Sequence, residues 1–169
     1  MKFLLFLPIA LLLSACWPSS VSFIDNGSMP EEWKTFSVRT LENNAPNTPI
    51  SYAPQLSEQL KDGIQNNTRL LLNPETGKGE VYVEGKINTY SVTPVAIQEG
   101  DNSAQNRLTI SVQFTIFVSA PKEEKMNLTS TRFVDFDSNT DLATVERTLL
   151  EEINTQIVQD VINKLLSNW

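Results

Sequence analysis

Between positions 107 and 118 the chain alternates without a break. Leu108, Ile110, Val112, Phe114, Ile116 and Val118 fall on one parity, and Arg107, Thr109, Ser111, Gln113, Thr115 and Phe117 fall on the other. Successive side chains of a strand point to opposite faces. The segment is therefore a strand with one dry face and one wet face. A sheet built around it is covered on one side only, which argues for antiparallel neighbours and against a doubly covered parallel sheet.

The partner for the dry face is written at the end of the chain. From Asp141 to Ser167 the residues Leu142, Val145, Leu149, Ile153, Ile157, Val161 and Leu165 recur at helical spacing. Leu150, Val158, Ile162 and Leu166 widen the stripe, as a core-facing helix requires. Thr140 or Asp141 is placed to cap its start, where a carboxylate also suits the helix dipole. An earlier helix is expected from Pro54, which fits a first turn, to Asn66-Asn67. It carries a narrower stripe of Leu56, Leu60 and Ile64.

Three further strands follow from β-forming residues bounded by turn signals. Strand one covers Trp33 to Leu41. Strand two starts at Val81, shares a face through Val83 and Ile87, and runs on toward Val92. Strand four covers Met126 to Phe136. Arg69 to Leu72 is a short apolar stretch before the turn at Asn73-Pro74. The predicted order is β-α-β-β-β-α. Strands one and two flank a helix, so as neighbours they would be parallel with a right-handed crossover. Strands two, three and four pair antiparallel. The fold class is α+β: a two-layer sandwich with a mixed four-stranded sheet and two helices on one face.

The single cysteine fixes a compartment. Lys2 precedes an apolar run from Phe3 to Leu13, too short to span a bilayer, which takes about 20 residues. The run closes on Leu13-Ser14-Ala15-Cys16. This reads as a secretory signal peptide, and Leu-Ser-Ala-Cys resembles the bacterial lipobox, in which the cysteine becomes the acylated N-terminus. An ordinary signal peptide with an incidental cysteine is the alternative. The expected organisation is a signal peptide at 1–15, a lipidated N-terminus and tether at 16–31, and one domain at 32–169. Cys16 is the lipid-attachment residue. The fifteen residues after it reach at most ~50 Å.

Charge and composition narrow the chemistry. There are 13 Lys and Arg against 20 Asp and Glu, for a net charge of −7. Such a chain is a poor match for nucleic acid. There is no histidine, which removes Ser-His-Asp triads, Cys-His dyads and His-ligated zinc. The acylated thiol is unavailable for disulfides or catalysis. A carboxylate-pair hydrolase stays open on residue types alone. However, the pairs Glu31-Glu32, Glu123-Glu124 and Glu151-Glu152 are sequence neighbours and do not converge. No cofactor is expected.

Four other features bear on function. Asp135, Asp137, Asn139, Asp141 and Glu146 fall at positions 1, 3, 5, 7 and 12 of an EF-hand-like count. Position 6 is Thr140 instead of glycine and a strand precedes the loop, so a polar turn competes with a calcium site. Arg132 shares parity with Met126, Leu128, Val134 and Phe136. Either a bulge near Ser130-Thr131 switches faces, or Arg132 faces the core and needs a carboxylate. Pro94, Val95 and Ile97 form an apolar strand end and are candidate partner contacts. Trp169 either packs on the core or faces a partner.

The chain resembles the LptE family of lipopolysaccharide-assembly outer-membrane lipoproteins over nearly its whole length. The resemblance rests on Gly27-Ser28-Met29-Pro30, Lys34-Thr35-Phe36-Ser37-Val38, Asn43-Asn44-Ala45-Pro46, Leu60-Lys61-Asp62 and Thr68-Arg69-Leu70. It continues through Tyr90 to Gln98, Asn106 to Ile110, Arg132 to Asp137 and Ser167-Asn168-Trp169. The resemblance implies a two-helix, four-stranded fold. It also implies a non-enzymatic plug and assembly factor of the LptD β-barrel that contacts lipopolysaccharide and is lipid-anchored at the periplasmic face of the outer membrane. Arg107, Arg132 and Lys86 are then the candidate lipopolysaccharide-binding cations, with Lys78, Lys122 and Lys125 nearby. A stand-alone periplasmic lipoprotein binding a ligand or peptidoglycan is the alternative.

Overall fold

The computed structural model describes residues 29–95 and 104–166. Cys16, Ile97 and Trp169 lie outside the described residues. The elements are β1 (Thr35–Val38), β2 (Glu42–Asn43), α1 (Tyr52–Asn67), β3 (Leu71–Leu72), β4 (Val81–Val95), β5 (Gln105–Val118), β6 (Glu124–Asp137) and α2 (Leu142–Leu166). They form an α+β fold. The sheet runs β3-β1-β4-β5-β6, with β2 also on β4. Strands β1, β2 and β3 pair parallel, and β4, β5 and β6 pair antiparallel.

The sheet has six strands where four were expected. One of the two extra strands, β2 at Glu42–Asn43, lies just past the end of the first predicted strand. After the Arg39 N–H bonds the Val83 carbonyl, the Leu41 N–H turns away to Ser57 Oγ on α1 at 2.9 Å. Ser57 in turn donates to the Ala53 carbonyl. The Leu41 side chain goes into the core. The chain then rejoins β4 as β2. The short apolar stretch before Asn73 supplies the sixth strand, β3.

The buried faces meet in one core. Every even-numbered residue of β5 from Leu108 to Val118 is buried, each side chain stabilising the fold by about 1.5–3 kcal/mol. Val81, Val83 and Ile87 lie beside them. A bulge between Ile87 and Thr89 then shifts the parity of β4, so the core position after it is Tyr90. Both helices join this cluster: α1 through Tyr52, Leu56, Leu60 and Ile64, and α2 through Leu149, Ile153, Ile157, Val161 and Leu165. The helices also touch each other, α1 lying against β1 and β3 and α2 against β5 and β6. Their approach is set at Gly63, where an added Cβ would stand 2.2 Å from Val158 Cγ1. Asp141 caps α2, its Oδ1 accepting the Ala143 N–H at 3.1 Å.

Polar groups inside the helix layer are paired. The Tyr52 hydroxyl donates to Asn154 Oδ1 at 2.7 Å, and Asn154 Nδ2 donates to Gln59 Oε1 at 2.7 Å. The Tyr90 hydroxyl donates to Glu146, and its ring meets Tyr52 edge-on at 5.8 Å. Burial raises both tyrosine pKa values.

Candidate functional site

The wet face of β5 is the centre of a wide, open surface. Across β4, β5 and β6 the side chains stand in rows: Tyr82–Phe117–Lys125, Glu84–Thr115–Asn127, Lys86–Gln113–Thr129, Thr89–Ser111–Thr131, Ser91–Thr109–Phe133, Thr93–Arg107–Asp135 and Val95–Gln105–Asp137. The bulge keeps this register. Without it, residues beyond Ile87 would present their core parity to this face. The middle rows are hydroxyls and amides, several bonded to each other, as Ser111 Oγ is to Thr131 Oγ1 at 2.8 Å.

Aromatic and cationic groups mark the two ends. At one end Tyr82 and Phe117 stack at 5.8 Å, with Lys125 Nζ 5.4 Å from the Phe117 centroid. Burial raises the Tyr82 pKa, and Glu84 adds to it. At the other end the Arg107 guanidinium lies 3.8 Å over Phe133. Arg107 donates from Nε and Nη2 to both Asp135 oxygens at 2.7 and 2.8 Å. That fork holds the Asp135 carboxyl below its usual range. Phe133 is 50% exposed.

A hollow of about 280 Å³ lies on this face between Arg39, Glu42, Glu84, Lys86, Gln113 and Lys125. Its ion pairs are loose: Lys86–Glu42 at 3.2 Å and Arg39–Glu84 at 3.9 Å, all four side chains at least one-third exposed. Such surface pairs are worth at most about 1 kcal/mol, so a competing anion can displace them. A groove of about 420 Å³ flanks the first row, with Glu80, Tyr82, Phe117, Glu123 and Glu124 along it.

The predicted site residues separate. Lys86 stands in the hollow with Arg39 and Lys125; Arg39 was not a sequence candidate, because only the β1–β4 pairing brings it to Glu84. Arg107 is on the same face but clamped by Asp135. Arg132 faces the helices. The β5–β6 ladder runs without a register shift, so no bulge turns it outward. It donates through Nε, at 2.9 Å, and through Nη2 to the two oxygens of Asp160 on α2. Ser130 Oγ adds a bond of 2.5 Å to the same carboxylate. Burial pushes the Asp160 pKa up, but the bonds from Arg132 and Ser130 outweigh it and the net shift is downward. Pro94 and Val95 end β4, where β5 is its neighbour. Val95 points to the open face.

The five oxygen ligands of the calcium count scatter. Asp135 is bound by Arg107 on the open face. Glu146 accepts from Tyr90 on the helix side. Asp137 and Asp141 accept backbone N–H groups of Asn139 and Ala143. Among the described residues no group of three or more carboxylates could hold a metal ion. Among them, too, no helix is long and apolar enough to cross a membrane.

A model of the family described as "LptE: Lipopolysaccharide-assembly" matches residues 33–165. No curated protein matches the sequence. Among solved structures, the hypothetical protein CT253 from Chlamydia trachomatis superposes with a TM-score of 0.55 at 11% identity, over 80% of this chain and 99% of that one. The uncharacterized lipoprotein B from Nitrosomonas europaea gives 0.51 at 15% identity, over 88% and 90%. At these identities the likeness is one of fold.

Proposed function

The chain belongs to the LptE lipopolysaccharide-assembly family, and on that premise we propose a non-catalytic, lipid-anchored outer-membrane component that plugs an LptD-type β-barrel and assists its assembly. Cys16 carries the acyl anchor and the domain faces the periplasm. The observation that carries the reading is the open face of β4, β5 and β6. Outer-membrane barrels are polar inside, and a flat field of threonine, serine, asparagine and glutamine side chains matches such a wall by hydrogen bonding. The aromatic groups at its two ends supply the larger apolar contacts that anchor interfaces.

Lipopolysaccharide contact is assigned to the hollow around Lys86. Its phosphates replace Glu42 and Glu84 as partners of Lys86, Arg39 and Lys125. The net negative charge of the chain is no bar, because charges beyond about 8 Å are screened at physiological salt.

Detergent extraction of the tagged chain tests the reading. A large β-barrel recovered with it supports the plug. Repeated recovery of the lone chain overturns it in favour of a stand-alone periplasmic lipoprotein. Gln113→Trp with Thr129→Trp, both at exposed open-face positions, is expected to lower barrel recovery at least fivefold with little change in Tm.

A further inference from the structure

We infer that Arg69 is a clasp that fixes where the N-terminal tether leaves the folded domain, and thereby limits how far the domain stands from the membrane. The reach part rests on the lipid anchor proposed at Cys16; the clasp itself does not.

Arg69 differs from every other arginine in the described residues. Arg39, Arg107, Arg132 and Arg147 each pair with a carboxylate. Arg69 instead directs Nη2 to two main-chain carbonyls, those of Met29, at 2.8 Å, and Pro30. Among the described residues its Nε is buried with no partner, while Nη2 holds a piece of backbone 40 residues away in sequence.

The clasp stands on a fixed base. Arg69 occupies the turn between α1 and β3. Beside it the Thr68 N–H and hydroxyl both donate to the Ile64 carbonyl, at 3.0 and 2.7 Å. The Leu70 N–H donates to Thr68 Oγ1 at 3.1 Å, and the Leu71 N–H to the Lys34 carbonyl at 2.9 Å. The captured segment is equally ordered. Met29 is 5% exposed. The Trp33 N–H bonds the Pro30 carbonyl at 3.1 Å. The fully buried Trp33 ring donates from Nε1 to the Ala120 carbonyl at 2.6 Å. The domain therefore already holds the main chain at Met29 and Pro30, within the stretch read as tether.

The geometric consequence is large. Residues 17–28 reach at most about 40 Å at ~3.3–3.6 Å per residue. Opening the clasp and unseating Met29 from the core edge would release 29–32 while Trp33 stays buried. Those four residues add about 13 Å, a third of the reach.

Hydrogen exchange on the full chain in detergent tests the clasp. Arg69→Ala is expected to raise exchange about tenfold across residues 29–34 and leave β5 unchanged. Unchanged exchange there overturns the clasp. Where Arg69→Ala also loosens β5, Arg69→Met decides: it keeps the apolar stem and removes the donors, so raised uptake confined to 29–34 is expected, and wild-type uptake there overturns the clasp. Barrel levels in cells test the reach. Deleting Ser19 to Ser22 is expected to lower barrel assembly. Arg69→Ala in that background is expected to restore it, which a merely destabilising change cannot do. No restoration, despite released 29–32 in exchange, overturns the reach claim. A deletion without effect overturns it together with the tether reading and leaves the exchange result on the clasp standing.

Discussion

Removing the Arg132 guanidinium should cost stability and leave lipopolysaccharide contact unchanged. Arg132 sends two charge-assisted bonds into Asp160, whose side chain is 19% exposed; that of Arg132 is 40% exposed. Arg132→Met leaves a mostly buried carboxylate with Ser130 as its remaining side-chain donor. Stranding a fully buried charge costs about 3–5 kcal/mol. Solvent at Arg132 screens the pair and brings the figure to about 2 kcal/mol. For a domain of this size that is a Tm drop of roughly 6–10 °C. Arg132→Met with Asp160→Leu should recover at least ~1 kcal/mol, since no charge is left behind. The pH dependence has a definite sign. The Asp160 carboxyl titrates below its ordinary value in the fold, so its contribution is complete above the unfolded pKa of about 3.9 and is lost as pH falls through the folded value. Without Arg132, burial holds the Asp160 carboxyl above its ordinary value, so the gap between wild type and variant should be widest near pH 7 and shrink as pH falls through the raised value in the variant toward the lowered value in wild type. Circular-dichroism melts over that range measure it. A variant with wild-type Tm at pH 7 but weakened binding to lipopolysaccharide vesicles would refute the structural assignment of Arg132.

Gly63→Ala should destabilise by about 1–2 kcal/mol despite the ~1 kcal/mol helix-propensity gain of alanine. The new methyl meets Val158, whose branched side chain has one favoured helical rotamer; adding Val158→Ala should relieve the clash, read as a non-additive recovery in denaturant melts. Tyr52→Phe strips the donor from Asn154 Oδ1 inside the helix layer and should cost about 1–2 kcal/mol by urea midpoint. Millimolar calcium should leave Tm unchanged, because Asp135 and Glu146 are engaged on opposite sides of the sheet; a rise of several degrees would show the loop rearranging around an ion.

By itself the sequence determined the α+β class, the long amphipathic helix and the one-sided sheet. These follow from local periodicity, and Leu108 to Val118 carries one parity from end to end. It also marked both outcomes open to Arg132, since an arginine on a core parity must find a carboxylate or change face. The parity of β4 needed the tertiary structure. One extra residue at Asn88 shifts it, and that residue is visible only against the ladder of β5. The return of the chain to the sheet as β2 was equally hidden, because Leu41 first leaves it for a hydroxyl sixteen residues away on α1. The cations tell the same story. Arg107, Arg132 and Lys86 look alike as letters. What decides their use is which carboxylate the fold brings near: Asp135 locks the first, Asp160 holds the second on the helix side, and Glu42 holds the third loosely enough to let go. Among the described residues Arg69 meets no carboxylate, so its grip on Met29 and Pro30 arises from packing α1, β3 and the start of the domain together, a contact that local sequence does not encode.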